Sequence, residues 1–136
     1  MSHPAGLPDI FLDRSLGRKG VPDRLRSAGL RVVTLAEHYG VPADEDVADE
    51  TWLELVAQRD WIAFMKDRRV RTREGWAVNL HGVRCFCLHP SQGLKVQAMA
   101  DRFLDNLAAI RAACIRPGPF FYHVQANGIR LQRLPM

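Results

Sequence analysis

Two aspartates each close a short apolar run: Asp13 follows Ile10-Phe11-Leu12, and Asp67 follows Ile62-Ala63-Phe64-Met65-Lys66. Runs this short and apolar fit buried strands. In a parallel sheet the carboxyl ends of all strands share one edge, where ligand chemistry gathers, and neighbouring strands lie about 5 Å apart. A third source of carboxylate is the stretch from Glu37 to Glu54, with Asp44, Glu45, Asp46, Asp49 and Glu50 between them and no Lys or Arg. Asp46 or Asp49 can cap the helix that follows, which would account for one or two of these acids. Carboxylates gathered at one point repel, and they stay ionised together only beside a compensating cation. An all-oxygen donor set favours Mg²⁺ or Mn²⁺ over zinc. Such an ion polarises a phosphodiester and activates water for in-line attack. Lys66, Arg68, Arg69, Arg71 and Arg73 border the second aspartate and suit a phosphate backbone. An acidic centre with a basic rim is the charge layout of a metal-dependent nuclease.

The elements that must position these groups follow from hydrophobic pattern and punctuation. Ile10-Leu12, Arg31-Leu35, Trp61-Met65 and Val83-Leu88 read as strands. Pro22 suits the first turn of a helix reaching Ala28, with Gly29 as its stop. Tyr39 to Ala43 contains Gly40 and Pro42 and reads as a loop. A second helix runs from about Val47 or Glu50 to Arg59. Arg68 to Gly75 is a basic loop or short helix. The stripe Val96, Met99, Ala100, Phe103, Leu107, Ile110 and Cys114 predicts one long helix over Gln92 to Ile115, stopped by Arg116-Pro117-Gly118-Pro119. Asn127-Gly128 between two strand-like segments is a hairpin signal. Strands alternating with helices imply a mostly parallel sheet covered on both faces.

With 136 residues the chain suits one domain, here 9–136 with a C-terminal hairpin at about 119–135, after a mobile lead-in over 1–8. A hydrophobic share of 47% excludes a disordered chain, and no apolar run is long enough to span a membrane. The N-terminus lacks the basic start and apolar core of a secretory signal. Three cysteines suit a reducing, cytoplasmic setting. Charge is polarised: residues 1–68 hold nine Lys/Arg and twelve Asp/Glu, whereas residues 69–136 hold ten and three. A phosphate-bearing partner fits the basic half; a merely solvated, Arg-rich surface is the alternative.

The chain resembles the PIN-domain family of metal-dependent ribonucleases, and within it the short PIN-like proteins related to VapC toxins of bacterial toxin–antitoxin pairs. The residues that carry the resemblance are Ile10-Phe11-Leu12-Asp13-Arg14, the pair Asp49-Glu50 opening a helix, and Lys66-Asp67 ending the next strand. It covers about Ile10 to Phe103 and leaves out the hairpin. It implies a three-layer α/β/α sandwich, an acidic Mg²⁺ or Mn²⁺ pocket, RNA cleavage, and an antitoxin as inhibitor; a homodimer is a further option. By position, Asp13, Asp49 and Asp67 would ligate the metal, with Glu50 as an alternative or supporting ligand. Arg14, Lys66, Arg68, Arg69 and Arg71 would position RNA. The chain departs from the pattern twice. Met65 stands where Ser or Thr is common, and only Glu74, Asp101 and Asp105 remain as later acids. The other reading is therefore a catalytically reduced PIN-like module that binds RNA or a partner protein.

His81, Cys85, Cys87 and His89 alternate as a strand would, but an extended strand cannot wrap four ligands around one zinc ion. Cys85, Cys87 and Cys114 read as core residues. Trp52 and Trp61 sit in apolar contexts, while Trp76 is the tryptophan expected at the surface.

Overall fold

The computed structural model describes residues 2–135. Six strands form one sheet: β1 (Ile10–Leu12), β2 (Val32–Thr34), β3 (Ile62–Met65), β4 (Arg84–Leu88), β5 (Phe120–Gln125) and β6 (Gly128–Gln132). Their order is β2-β1-β3-β4-β5-β6. The first five run parallel, and β6 pairs antiparallel with β5 across the Asn127-Gly128 turn.

Alternation along the strands builds a core on each face. Ile10, Leu12, Phe64 and Phe86 pack with Leu25 of α1 (Gly20–Ser27), Phe103 of α6 (Val96–Asp105) and Ile110 of α7 (Leu107–Ala113). The rings of Phe64 and Phe103 stack at 4.1 Å. Phe11, Ala63, Met65, Cys85 and Cys87 point the other way. There they meet Trp52 and Leu53 of α3 (Asp49–Gln58), Val70 of α4 (Arg69–Arg73) and Val78 of α5 (Gly75–His81). The result is the expected α/β/α sandwich. The cysteines are buried, and burial pushes all three thiols up, Cys114 to about 11. Trp52 is buried, Trp61 packs half-buried on the second core, and Trp76 stands out at 55% exposure.

Three local expectations change. The helix expected over Gln92 to Ile115 is two helices. Asn106 breaks it by donating its side-chain amide to the carbonyls of Arg102 (2.8 Å) and Gln125 (2.7 Å), which ties the break to the end of β5. The stripe survives because both pieces cover the same core. The strand expected over Arg31 to Leu35 stops at Thr34, which opens a short helix, α2 (Leu35–Tyr39), through a reciprocal capping box with Glu37. Helix α5 was hidden by the short spacing between Gly75 and Gly82. In the segment before β1, Leu7 is buried, and the Arg31 amide donates to Nδ1 of His3 at 2.9 Å.

Candidate metal and nuclease site

Strand order reverses at β1, with β2 on one side and β3 on the other. Such a reversal opens a crevice at the carboxyl ends of the strands. Asp13 leaves β1 and Asp67 leaves β3 at that crevice, and the Asp13 amide donates to Phe64 across the seam at 3.2 Å. The adjacency that spacing alone left open is therefore present.

Asp13 is 4% exposed. Its carboxylate accepts from the Ser15 amide at 3.0 Å and from the Ser15 hydroxyl. Ser15 Oγ accepts in turn from the Lys66 amide at 3.0 Å, so one hydroxyl pins the loop after β1 to the end of β3. Burial pushes the Asp13 carboxyl up to about 7; the Ser15 hydroxyl opposes this, while the charges of Asp49 and Asp67 reinforce it. Nothing in the sequence marks Ser15 beyond its place two residues after Asp13.

Asp49 is the first residue of α3, and Ala48 precedes it as a cap with no side-chain bond. Neither Asp46 nor Asp49 thus caps this helix as expected. The Asp49 carboxylate instead accepts from Trp52 Nε1 at 2.9 Å and from Arg73 at 3.1 Å, with Arg14 at 3.6 Å. Asp67 accepts from the Arg69 amide and guanidinium at 3.0 Å. Burial raises the Asp67 carboxyl, but the Arg69 bonds outweigh it and hold the group below its usual range. The same nitrogen of Arg73 that bonds Asp49 lies 3.6 Å from Asp67. Arg73 therefore spans the mouth between the two acids, whereas sequence shows it only as one of five basic residues beside Asp67.

The expected basic residues divide. Arg14 donates to the carbonyls of Asp44 (3.0 Å) and Val47 (2.6 Å), holding the chain that leads into α3. Arg71 donates to the Arg133 carbonyl at 2.6 Å. Lys66, Arg68 and Arg69 line a cavity of about 480 Å³ that opens beside Asp67.

Glu50 is not gathered with the three aspartates. It turns to the flank between α3 and α5, where His81 Nε2 lies 3.4 Å from Glu50 and 3.8 Å from Glu54. Ligand atoms of Glu50, Glu54 and His81 fall within 4.8 Å of one another, the tightest grouping of this kind among the described residues. Asp13, Asp49 and Asp67 do not form so tight a group, and the Arg73 guanidinium stands between two of them. Their donor set is still that of a hard divalent cation: all oxygen, one member buried with no cationic side chain hydrogen-bonded to it among the described residues.

Residues 8–90 match the family described as PIN like domain. A Mycobacterium tuberculosis protein named "Putative ribonuclease VapC45" is 41% identical over 127 residues, covering 92% of this chain and 91% of that protein. No solved structure gives a significant match. The family match ends just past β4, whereas the likeness to the mycobacterial protein takes in most of the C-terminal part too. With a parallel sheet reversing at β1, aspartates leaving both strands there, and these matches, the chain belongs to the PIN-like domain family, in its VapC-type branch.

Proposed function

We propose that this protein is a metal-dependent endoribonuclease, the toxin of a toxin–antitoxin pair, using Mg²⁺ or Mn²⁺ held by Asp13, Asp49 and Asp67. The observation that carries this reading is Asp13: a buried carboxyl with two acidic neighbours, held among the described residues by Ser15 alone, at the sheet's switch point. A divalent ion bound there would activate water and stabilise charge on the phosphate. The protein's own side chains do the rest. Ser15 fixes the Asp13 carboxylate, Trp52 orients Asp49, and Arg69 orients Asp67. Lys66 and Arg68 line the adjoining cavity and suit the RNA phosphates on either side of the scissile bond. Arg73 supplies positive charge between Asp49 and Asp67, where incoming phosphate would also lie. Glu50 is left to the α3–α5 flank. A cognate antitoxin is the expected inhibitor.

The test is cleavage of total RNA by purified protein with Mn²⁺ or Mg²⁺, beside EDTA and beside Asp13→Asn. Cleavage that needs the ion and falls at least 100-fold in the variant is expected. Folded, antitoxin-free protein that leaves RNA intact at every ion concentration would favour the other reading, a PIN-like module that binds RNA without cutting it.

A further inference from the structure

Beyond the carboxylates, the C-terminal edge of the sheet continues as a groove. The cavity beside Asp67 shares Arg68, Arg69 and His89 with a second cavity of about 260 Å³, which reaches Arg71 and His123. His89 and His123 also border a third, of about 410 Å³, which ends at Arg130 on the hairpin. The track therefore runs from β3 over β4 to β5 and β6. Strand spacing puts the β5 end of it about 10 Å from the strand that bears Asp67.

At its centre two imidazoles lie face to face. The rings of His89, just past β4, and His123, in β5, are 4.1 Å apart and 10° from parallel. Burial above all, with His89, Arg71, Arg68 and Arg130 acting in the same direction, pushes His123 down to about 4, so it is neutral at pH 7. The guanidinium groups that act on it are those of Arg71, Arg68 and Arg130. His89 Nδ1 is buried without a hydrogen-bond partner among the described residues. A buried polar atom of this kind calls for a ligand or water. Here, then, is a stacked pair of aromatic rings with an unpartnered nitrogen, bordered by the guanidinium groups of Arg68, Arg71 and Arg130.

We propose that the His89–His123 pair is a nucleobase subsite. It stacks an unpaired base of the RNA strand a few nucleotides from the scissile phosphate, while Arg68, Arg71 and Arg130 hold that strand's phosphates. The chemistry is that of single-strand recognition: π-faces accept any base, and cations track the backbone. A duplex keeps its bases stacked on each other and gains only the charge. The hairpin, which lies beyond the family match, thereby becomes part of the substrate site. This inference rests on the ribonuclease reading for its substrate.

The test separates the two. Anisotropy of a labelled single-stranded RNA 12-mer is measured in EDTA, with cleavage in Mn²⁺ measured alongside. For His123→Ala, Kd rises about tenfold for the single strand, with a smaller change for duplex RNA. His123→Phe, which keeps a stacking face, restores most of the affinity. In cleavage, His123→Ala raises KM more than it lowers kcat. Arg130→Gln, on the exposed face of β6, lowers the slope of log Kd against log salt by about one and remains informative if His123→Ala does not fold. Wild-type Kd in folded His123→Ala, equal losses in the Ala and Phe variants, or an unchanged salt slope in Arg130→Gln would overturn the subsite. Metal-dependent cleavage lost in Asp13→Asn would then leave the ribonuclease reading standing. Conversely, His123-dependent binding without cleavage would sink the ribonuclease reading and keep the subsite.

Discussion

Asp13 and Asp44 are equally buried, each 4% exposed, yet their surroundings are opposite. Asp44 meets the Arg18 guanidinium in a two-pronged pair at 2.9 and 3.1 Å, and these bonds hold its carboxyl below the usual range. Asp13 bonds a serine, feels the charges of two other acids and has no guanidinium partner among the described residues, and burial pushes it up to about 7. Both face the same problem of desolvation. The chain solves it for Asp44 with its own cation and leaves it open for Asp13. A buried acid with a partner holds the fold together; a buried acid without one costs stability until something positive arrives.

The largest effect that would sharpen this contrast is on activity. Asp13→Asn, Asp49→Asn and Asp67→Asn should each lower metal-dependent RNA cleavage at least 100-fold, while Asp44→Asn should leave cleavage per folded molecule close to wild type. A comparable loss in Asp44→Asn, measured on protein shown to be folded by circular dichroism, would erase the distinction.

Next comes stability. In chelator at pH 8, Asp13→Asn should unfold at higher temperature than wild type, by an amount corresponding to roughly 2 kcal/mol, because the amide keeps the Ser15 contacts and removes the charge. Asp44→Asn should lower the melting temperature, since it weakens the pair with Arg18. Changes of the same sign in both variants would contradict the comparison.

The pH dependence follows with opposite signs. The folded value for Asp13 lies above its unfolded one, so its contribution is fully present below about pH 4 and is lost as pH rises through about 7. Asp44 has its folded value lowered, so its contribution is present above about pH 4 and is lost as pH falls. The stability difference between Asp13→Asn and wild type, in chelator, should therefore grow from pH 4 to pH 8. The smallest effect is that of Arg73→Gln. Removing the guanidinium between Asp49 and Asp67 should change Mn²⁺ affinity only a few-fold, in the tighter direction, and weaken RNA binding as one phosphate contact is lost.

Much of the frame was legible because it rests on local pattern. The strands at Ile10, Ile62 and Arg84, helix α3 and the Asn127-Gly128 hairpin follow from short apolar runs, helical spacing and a turn pair. Asp13 and Asp67 were found because strand ends are visible in such runs. What stayed hidden depends on tertiary partners. Asn106 reads as one more helical residue until β5 offers its amide a carbonyl at Gln125. Glu50 and Asp49 are neighbours in sequence, but successive residues on a helix point about 100° apart. One therefore faces the crevice side with Arg73, and the other faces His81. That Arg14 and Arg71 also bind backbone was not legible, because charge is all a sequence displays and their partners, the carbonyls of Val47 and Arg133, are long-range.

The central claim is that Asp13 is a buried acid waiting for a cation. Calorimetric titration of Mn²⁺ at pH 6, repeated in buffers of different ionisation enthalpy, tests it most directly. Because Asp13 is largely protonated at that pH, ion binding at Asp13, Asp49 and Asp67 should release close to one proton, and Asp13→Asn should lose both the binding and the release. Binding that persists in Asp13→Asn with its proton release intact would contradict the claim and move the ion to the cluster of Glu50, Glu54 and His81.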